Sequence, residues 1–258
     1  MQDTLSPASG TPRDASTVVL LRDARHGLEV FLMKRSGLSD TFGEAYVFPG
    51  GKLDAHDSSP EALQTLDIPT ATLPQQMNEA ELSPGMAASL LVAALRELSE
   101  EAGIRLPASA LVPWSRWITP RMAALSKKRF DTRFFLALSP SDQVASHDNF
   151  ETTASIWLSP KDALQRYYRG EIEMAPPQIM SLGHLARYRS AAEALQAARQ
   201  QRPPCICPEN FSEQDVVVLC YPGDPRHSVP ERALPGPTRL VVRNKRFVPE
   251  DCLESLWA

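Results

Sequence analysis

The stretch from Ser83 to Gly103, SPGMAASLLVAALRELSEEAG, constrains the fold more than any other part of the chain. Ser83 followed by Pro84 has the form of an N-cap and first helical position, and Gly103 that of a C-terminal stop. The spacing therefore predicts a helix over 84–102. On a wheel of 3.6 residues per turn, Leu91, Leu95, Leu98 and Ala102 form a core stripe. Glu97, Glu100 and Glu101 lie roughly opposite. Leu90 and Ala93 project on the glutamate side, so the upstream half is apolar nearly all round. Such a helix needs cover on most sides, and its acids then emerge at the edge of a packed site.

Taken alone, the acids admit two readings. Like charges three and four residues apart repel by a few tenths of a kcal/mol per pair, and Arg96, four residues before Glu100, eases part of that. A solvated acidic face is the plain outcome, since charge runs usually face water. Clustered carboxylate oxygens also suit a hard divalent cation such as Mg²⁺ or Mn²⁺, which would turn repulsion into binding energy.

The surroundings of the helix read as strands and further helices. TVVLLRDARHGLEVFLMKRS gives two strands, about 17–22 and 28–34, joined by a polar turn ending at Gly27. AYVFPGG is a short strand running into a glycine pair that lets the backbone approach a ligand closely. RFDTRFFLALSP and ASIWLSP are strands, SPKDALQRYYRG a capped helix, and PPQIMSLGHLARYRSAAEALQAARQ a longer helical region. Near the end, DVVVLCYPGD is a strand and TRLVVRNKRFV a hairpin. Interspersed strands and helices predict an α/β (α+β) layered domain. The expected organisation is a leader over 1–15, a main domain over 16–200 interrupted by an insertion at about 58–83, and a C-terminal β extension over 201–258 packed on the same domain.

Composition removes several classes. A formal net charge of −4 and a pI near 5.8 argue against a broad basic surface for nucleic acid. No apolar run reaches the ~18 residues of a membrane span, and the first residues lack the apolar core of a secretory signal. Cys205, Cys207, Cys220 and Cys252 are too few for a disulfide scaffold, and the one-residue gap between Cys205 and Cys207 is not a zinc spacing. Reduced thiols and a cytoplasmic location are the expectation.

Two segments together carry a specific pattern. Gly51-x5-Asp57 followed by Arg96-Glu97-Leu98-x-Glu100-Glu101-x-Gly103-Ile104 resembles the Nudix box, G-x5-E-x7-R-E-U-x-E-E-x-G-U, in which U is aliphatic. The second half matches at every specified position. In the first half Asp57 stands for Glu, and the spacer from there to Arg96 is about thirty residues longer, an insertion whose closure entropy grows only logarithmically. The split box, with WITPRMAALSKKRFDTRFFLAL downstream, is similar to the Nudix branch that includes the peroxisomal acyl-CoA diphosphatases. Upstream, Arg35 and Ser36 lie where a CoA-type signature has them relative to FPGG. Asp40 stands where that signature has Arg, and Gly43 comes one place early.

The resemblance implies a Nudix-type α/β/α sandwich with a mixed sheet, and hydrolysis of a nucleoside diphosphate linked to another group. CoA or acyl-CoA, giving 3',5'-ADP and (acyl-)4'-phosphopantetheine, is the first expectation; ADP-ribose, NADH or a dinucleotide is the alternative. A non-catalytic nucleotide sensor of the same fold is the alternative from another class. Glu97, Glu100 and Glu101 would hold Mg²⁺ or Mn²⁺ with the Gly50 carbonyl, and Arg96 would orient a glutamate. The general base would be Glu97 or Glu151, the latter on the loop before ASIWL. Arg35, Gly51, Arg129 and Arg133 would meet the substrate, the arginines through its phosphates. Expected partners are the small nucleotide and a second copy of the chain in a homodimer, with neither nucleic acid nor membrane.

Overall fold

The computed structural model describes residues 6–7, 10–36, 44–123, 128–147 and 152–258. Its main sheet begins with β1 (Arg13–Ala24) and β2 (Gly27–Arg35), an antiparallel hairpin that starts inside the stretch expected as a leader. Ser6–Pro7 also pair, with Met122–Ala123. Apolar residues alternate along β1 and feed two separate cores. Val18 and Leu20 face one side of the sheet, Val19 and Leu21 the other. A sheet apolar on both faces needs helices on both, and it has them.

Beyond Leu21 and Val30 the hairpin opens, and the segment carrying FPGG threads the fork. β3 (Tyr46–Val47) pairs with β2, while β4 (Gly50–Lys52) pairs with β1. β5 (Val112–Ile118), β6 (Phe130–Leu138), β7 (Thr152–Leu158) and β8 (Cys205–Ile206) complete the sheet. The order is β8-β5-β6-β1-β2-β3, with β4 beside β1 and β7 beside β2. β1–β6 and β5–β8 are parallel and the other pairs antiparallel, so the sheet is mixed as expected.

α1 (Pro84–Ala102) covers one face. The Ser83 side chain accepts from Met86 N at 3.1 Å, and Gly103 closes the helix in the left-handed region at φ 68°. A cap of this kind contributes about 1 kcal/mol. Leu90, Leu91, Ala93, Ala94 and Leu98 are buried, so the upstream half is covered on nearly all sides. Ser16 on β1 donates to Leu90 O at 2.7 Å and ties helix to sheet.

The opposite face carries α2 (Pro160–Arg169), α3 (Pro176–Leu185) and α4 (Ala191–Gln200). The long helical region of the sequence is thus two helices. Ser190 breaks it by capping α4, accepting from Glu193 N at 3.1 Å, while Glu193 accepts from Arg189 N at 2.8 Å. The C-terminal strands β9 (Glu209–Glu213), β10 (Val216–Cys220), β11 (Arg239–Arg243) and β12 (Arg246–Pro249) form a separate antiparallel sheet. Asn244 and Lys245 both take positive φ, the turn that a tight hairpin needs. Leu219, Tyr221, Leu240 and Phe247 pack into the same core as α2–α4.

The insertion folds as short turns laid over α1, among them Pro60–Leu63 and Leu73–Gln76. Leu73 and Met77 are buried in the α1-side core. Glu79 reaches the sheet, where it meets Arg116 at 2.9 Å and Arg133 at 2.7 Å.

Candidate functional site

Three local causes bring the two halves of the split box together. Gly50 takes φ 157°, and a Cβ there would overlap Ser16 O and Thr17, so only glycine lets β4 lie this close to β1. At Gly51 a Cβ would overlap the Glu97 carboxylate, so α1 packs directly on the second glycine. Then Asp54 N donates to Asp57 Oδ2 at 2.8 Å and the Asp54 side chain accepts from His56 N, a capping arrangement that turns the chain back toward the helix.

Asp57 therefore does return across the insertion. Its side chain is fully buried and holds Arg96 at both oxygens, Nε–Oδ1 2.8 Å and Nη2–Oδ2 3.0 Å. Arg96 Nη1 donates to Glu97 Oε1 at 2.9 Å and to Glu100 Oε2 at 3.0 Å. The hydrogen bond it donates to Asp57 raises the guanidinium's pKa above its ordinary value, so Arg96 is a fixed cation between the acids. Glu101 accepts from Gly50 N at 2.7 Å. It is thus the amide of Gly50 that bonds the helix here. Glu97 is 14% exposed and Glu100 59%, so the carboxylates run from the packed glycine turn out to solvent.

Among the described residues no three acidic, histidine or cysteine side chains converge closely enough to enclose a metal ion. The chemistry of the donors nonetheless fits a hard divalent cation: three carboxylates within two turns of one helix, beside a glycine backbone. Drawing them together requires Glu100 to turn from Arg96 and Glu101 from the Gly50 amide.

The expected phosphate contacts fare differently. Arg133 is buried, and its guanidinium is ringed by acceptors: Glu79 at 3.0 and 2.7 Å, the Asp131 carbonyl at 3.1 Å, and Asp14. The sequence predicts that it meets substrate; here its donors are taken by carboxylates that balance its charge. Arg129 is half-buried and donates to Thr119 O at 3.0 Å and Gly10 O at 3.2 Å, pinning the chain before β1. Arg35 ends β2, where its amide bonds Ala45 O. Glu151, Asp40 and Gly43 lie outside the described residues. Trp114 and Trp117 are buried in the core, and the four cysteines are free thiols. No described helix is long and apolar enough to cross a membrane.

Sequence reasoning left Asp57 unplaced and did not single out Asp54. The signal was present as the D-x-x-D spacing of a capping box just after the glycine pair.

Known proteins resemble this chain in sequence and in fold. The NUDT19 Nudix domain family matches residues 106–185, from the segment before β5 to the end of α3. The acyl-coenzyme A diphosphatase NUDT19 of Gallus gallus is 29% identical over 235 residues, covering 63% of this chain and 62% of that protein. The chain thus spans about six-tenths of the length of that relative. Nudix hydrolase 7 of Caenorhabditis elegans is 24% identical, covering 90% of this chain and 80% of its own. Among solved structures, a NUDIX hydrolase from Alicyclobacillus acidocaldarius superposes with a TM-score of 0.57 at 22% identity. It covers 75% of this chain and 97% of that one, a likeness of fold. With the box on its helix and the mixed sheet between helical layers, the chain has a Nudix-type fold and is similar in sequence to the Nudix branch that includes the acyl-coenzyme A diphosphatases.

Proposed function

We propose that the chain hydrolyses the pyrophosphate bond of CoA or an acyl-CoA, releasing 3',5'-ADP and (acyl-)4'-phosphopantetheine, with Mg²⁺ or Mn²⁺ as cofactor. The observation that carries the reading is the Asp57–Arg96 pair, which joins the two halves of the split box despite the insertion and sets Arg96 between Glu97 and Glu100. The choice of CoA rests on the acyl-coenzyme A diphosphatase relatives.

Glu97, Glu100 and Glu101 would hold the cation. When bound, it supplies charge neutralisation at the pyrophosphate and acidifies the attacking water. The rest is done by the chain. Asp57 fixes Arg96, and Arg96 holds the Glu97 carboxylate in place, which removes rotamer freedom before substrate arrives. The Gly50 amide holds Glu101 beside the turn until a cation draws it away. Bare Gly51 leaves room for the Glu97 carboxylate against the turn. Glu97 takes the proton of the attacking water, with Glu151 as the alternative base, and Arg35 contributes positive charge from the end of β2.

A panel of CoA, dephospho-CoA, acyl-CoAs, ADP-ribose, NADH and diadenosine polyphosphates, each with Mg²⁺ and Mn²⁺, tests the substrate. CoA compounds should be turned over fastest, and removal of the 3'-phosphate should slow hydrolysis. Glu100→Gln and Glu101→Gln should each lower kcat by at least 10²-fold while melting within a few degrees of the parent. Undiminished Mg²⁺-dependent turnover in both variants sinks the mechanism.

A further inference from the structure

On the sheet face away from α1, a cavity of about 410 Å³ opens between α3, α4, Trp114 of β5 and the loop that precedes β11. Its volume lies within the ~300–1,000 Å³ of small-molecule sites. Three arginines line it, Arg187, Arg202 and Arg232, and no acidic residue does. In a chain of net charge −4 that concentration of cations is local. Arg232 is braced by its own loop, donating from Nε to Leu234 O at 3.1 Å and from Nη2 to Gly236 O. Arg187 Nε is buried with no hydrogen-bond partner among the described residues, and a buried donor of this kind is uncommon enough to need an explanation. An adjoining recess shares Arg187 and Arg232 but is lined as well by Asp224, Glu250 and Asp251, so its charge is mixed.

The other walls are flat and apolar. Trp114 lies 5.4 Å from the His184 ring and His184 5.8 Å from Tyr188, both pairs inclined by 35°. The Tyr188 hydroxyl and His184 Nε2 are 3.2 Å apart, which links two rungs of this ladder. Pro204 and Pro235 add rigid apolar surface. Guanidinium forks match the paired oxygens of a phosphate, and aromatic and proline surface suits a planar ring.

We propose that this cavity is a second ligand site, taking a phosphomonoester carried on a planar aromatic body, with Arg187, Arg202 and Arg232 on the phosphate and the Trp114–His184–Tyr188 wall beside the ring. A nucleoside monophosphate is the simplest compound of that class. The site is independent of the chemistry at the carboxylate helix, which lies across the sheet.

Calorimetric titration of the full chain with 5'-AMP, in EDTA to keep divalent ions from the carboxylate helix, tests it. The parent should bind AMP, and adenosine at least tenfold more weakly. Arg202 is exposed, so Arg202→Glu leaves the fold intact and should weaken AMP binding by tenfold or more, as should Arg187→Gln. Rates of CoA hydrolysis at saturating substrate should be unchanged in Arg202→Glu. Absence of AMP binding by the parent, or a Arg202→Glu isotherm equal to the parent's, overturns the proposal.

Discussion

Gly51 has no Cβ, and one added there would overlap the end of the Glu97 side chain. Because that obstacle is a side-chain tip and not backbone, Gly51→Ala should fold, with Glu97 displaced. Its kcat/KM should fall by at least tenfold while its melting temperature stays within a few degrees, as paired kinetic and thermal measurements would register. Asp57 is the opposite case, a fully buried carboxylate facing a cation. Asp57→Ala leaves Arg96 without its main partner and should cost about 3 kcal/mol in denaturant unfolding as well as activity. Both residues were visible in the sequence as members of a motif. What could not be read was the fate of Arg133. A run rich in arginine suggests phosphate, but its partners here, Asp14 and Glu79, come from 119 and 54 residues away. Charge density along a chain says nothing of which carboxylates the fold will bring in.

At the level of elements, legibility followed local chemistry. α1 runs over the expected span with both expected caps, because Ser-Pro and Gly encode backbone geometry directly. The same holds for α2, capped by Ser159 and closed at Gly170. The α3–α4 break was missed because Ser190 and Glu193 sit inside a stretch otherwise favourable to helix. The insertion was legible only as a lack of period. Its order comes from long-range burial of Leu73 and Met77 and from Glu79, whose side chain is 8% exposed between Arg116 and Arg133. Glu79→Ala should therefore destabilise the domain by about 3 kcal/mol, far above the ~1 kcal/mol ceiling of an exposed pair, measurable by chemical denaturation.

Across the molecule, the packing of three helices against the sheet and the C-terminal strands creates a pH dependence. Burial first, and the neighbouring Arg187 charge second, push the His184 pKa from 6.5 down to about 4. The folded state thus binds this proton less readily than the unfolded chain. The resulting stability is fully present above pH 6.5 and is lost as pH falls toward 4. Melting temperatures of the parent and of His184→Phe, compared at pH 7.5 and near pH 4.5, should show the parent losing more on acidification. An equal loss in both contradicts the assignment.

Glu79 also bears on the order in which the domain assembles. Its partners sit on β5 and β6, 37 and 54 residues further along the chain. No carboxylate gains from that pocket until the two strands have paired, since loop closure must come before the contact rewards it. Docking of the insertion is expected to follow that pairing, beyond the rate-limiting barrier. In stopped-flow experiments Glu79→Ala should quicken unfolding and leave the refolding rate nearly unchanged. The segment that interrupts the motif would then act as a latch on the native state, governing how long the folded molecule lasts more than how fast it forms.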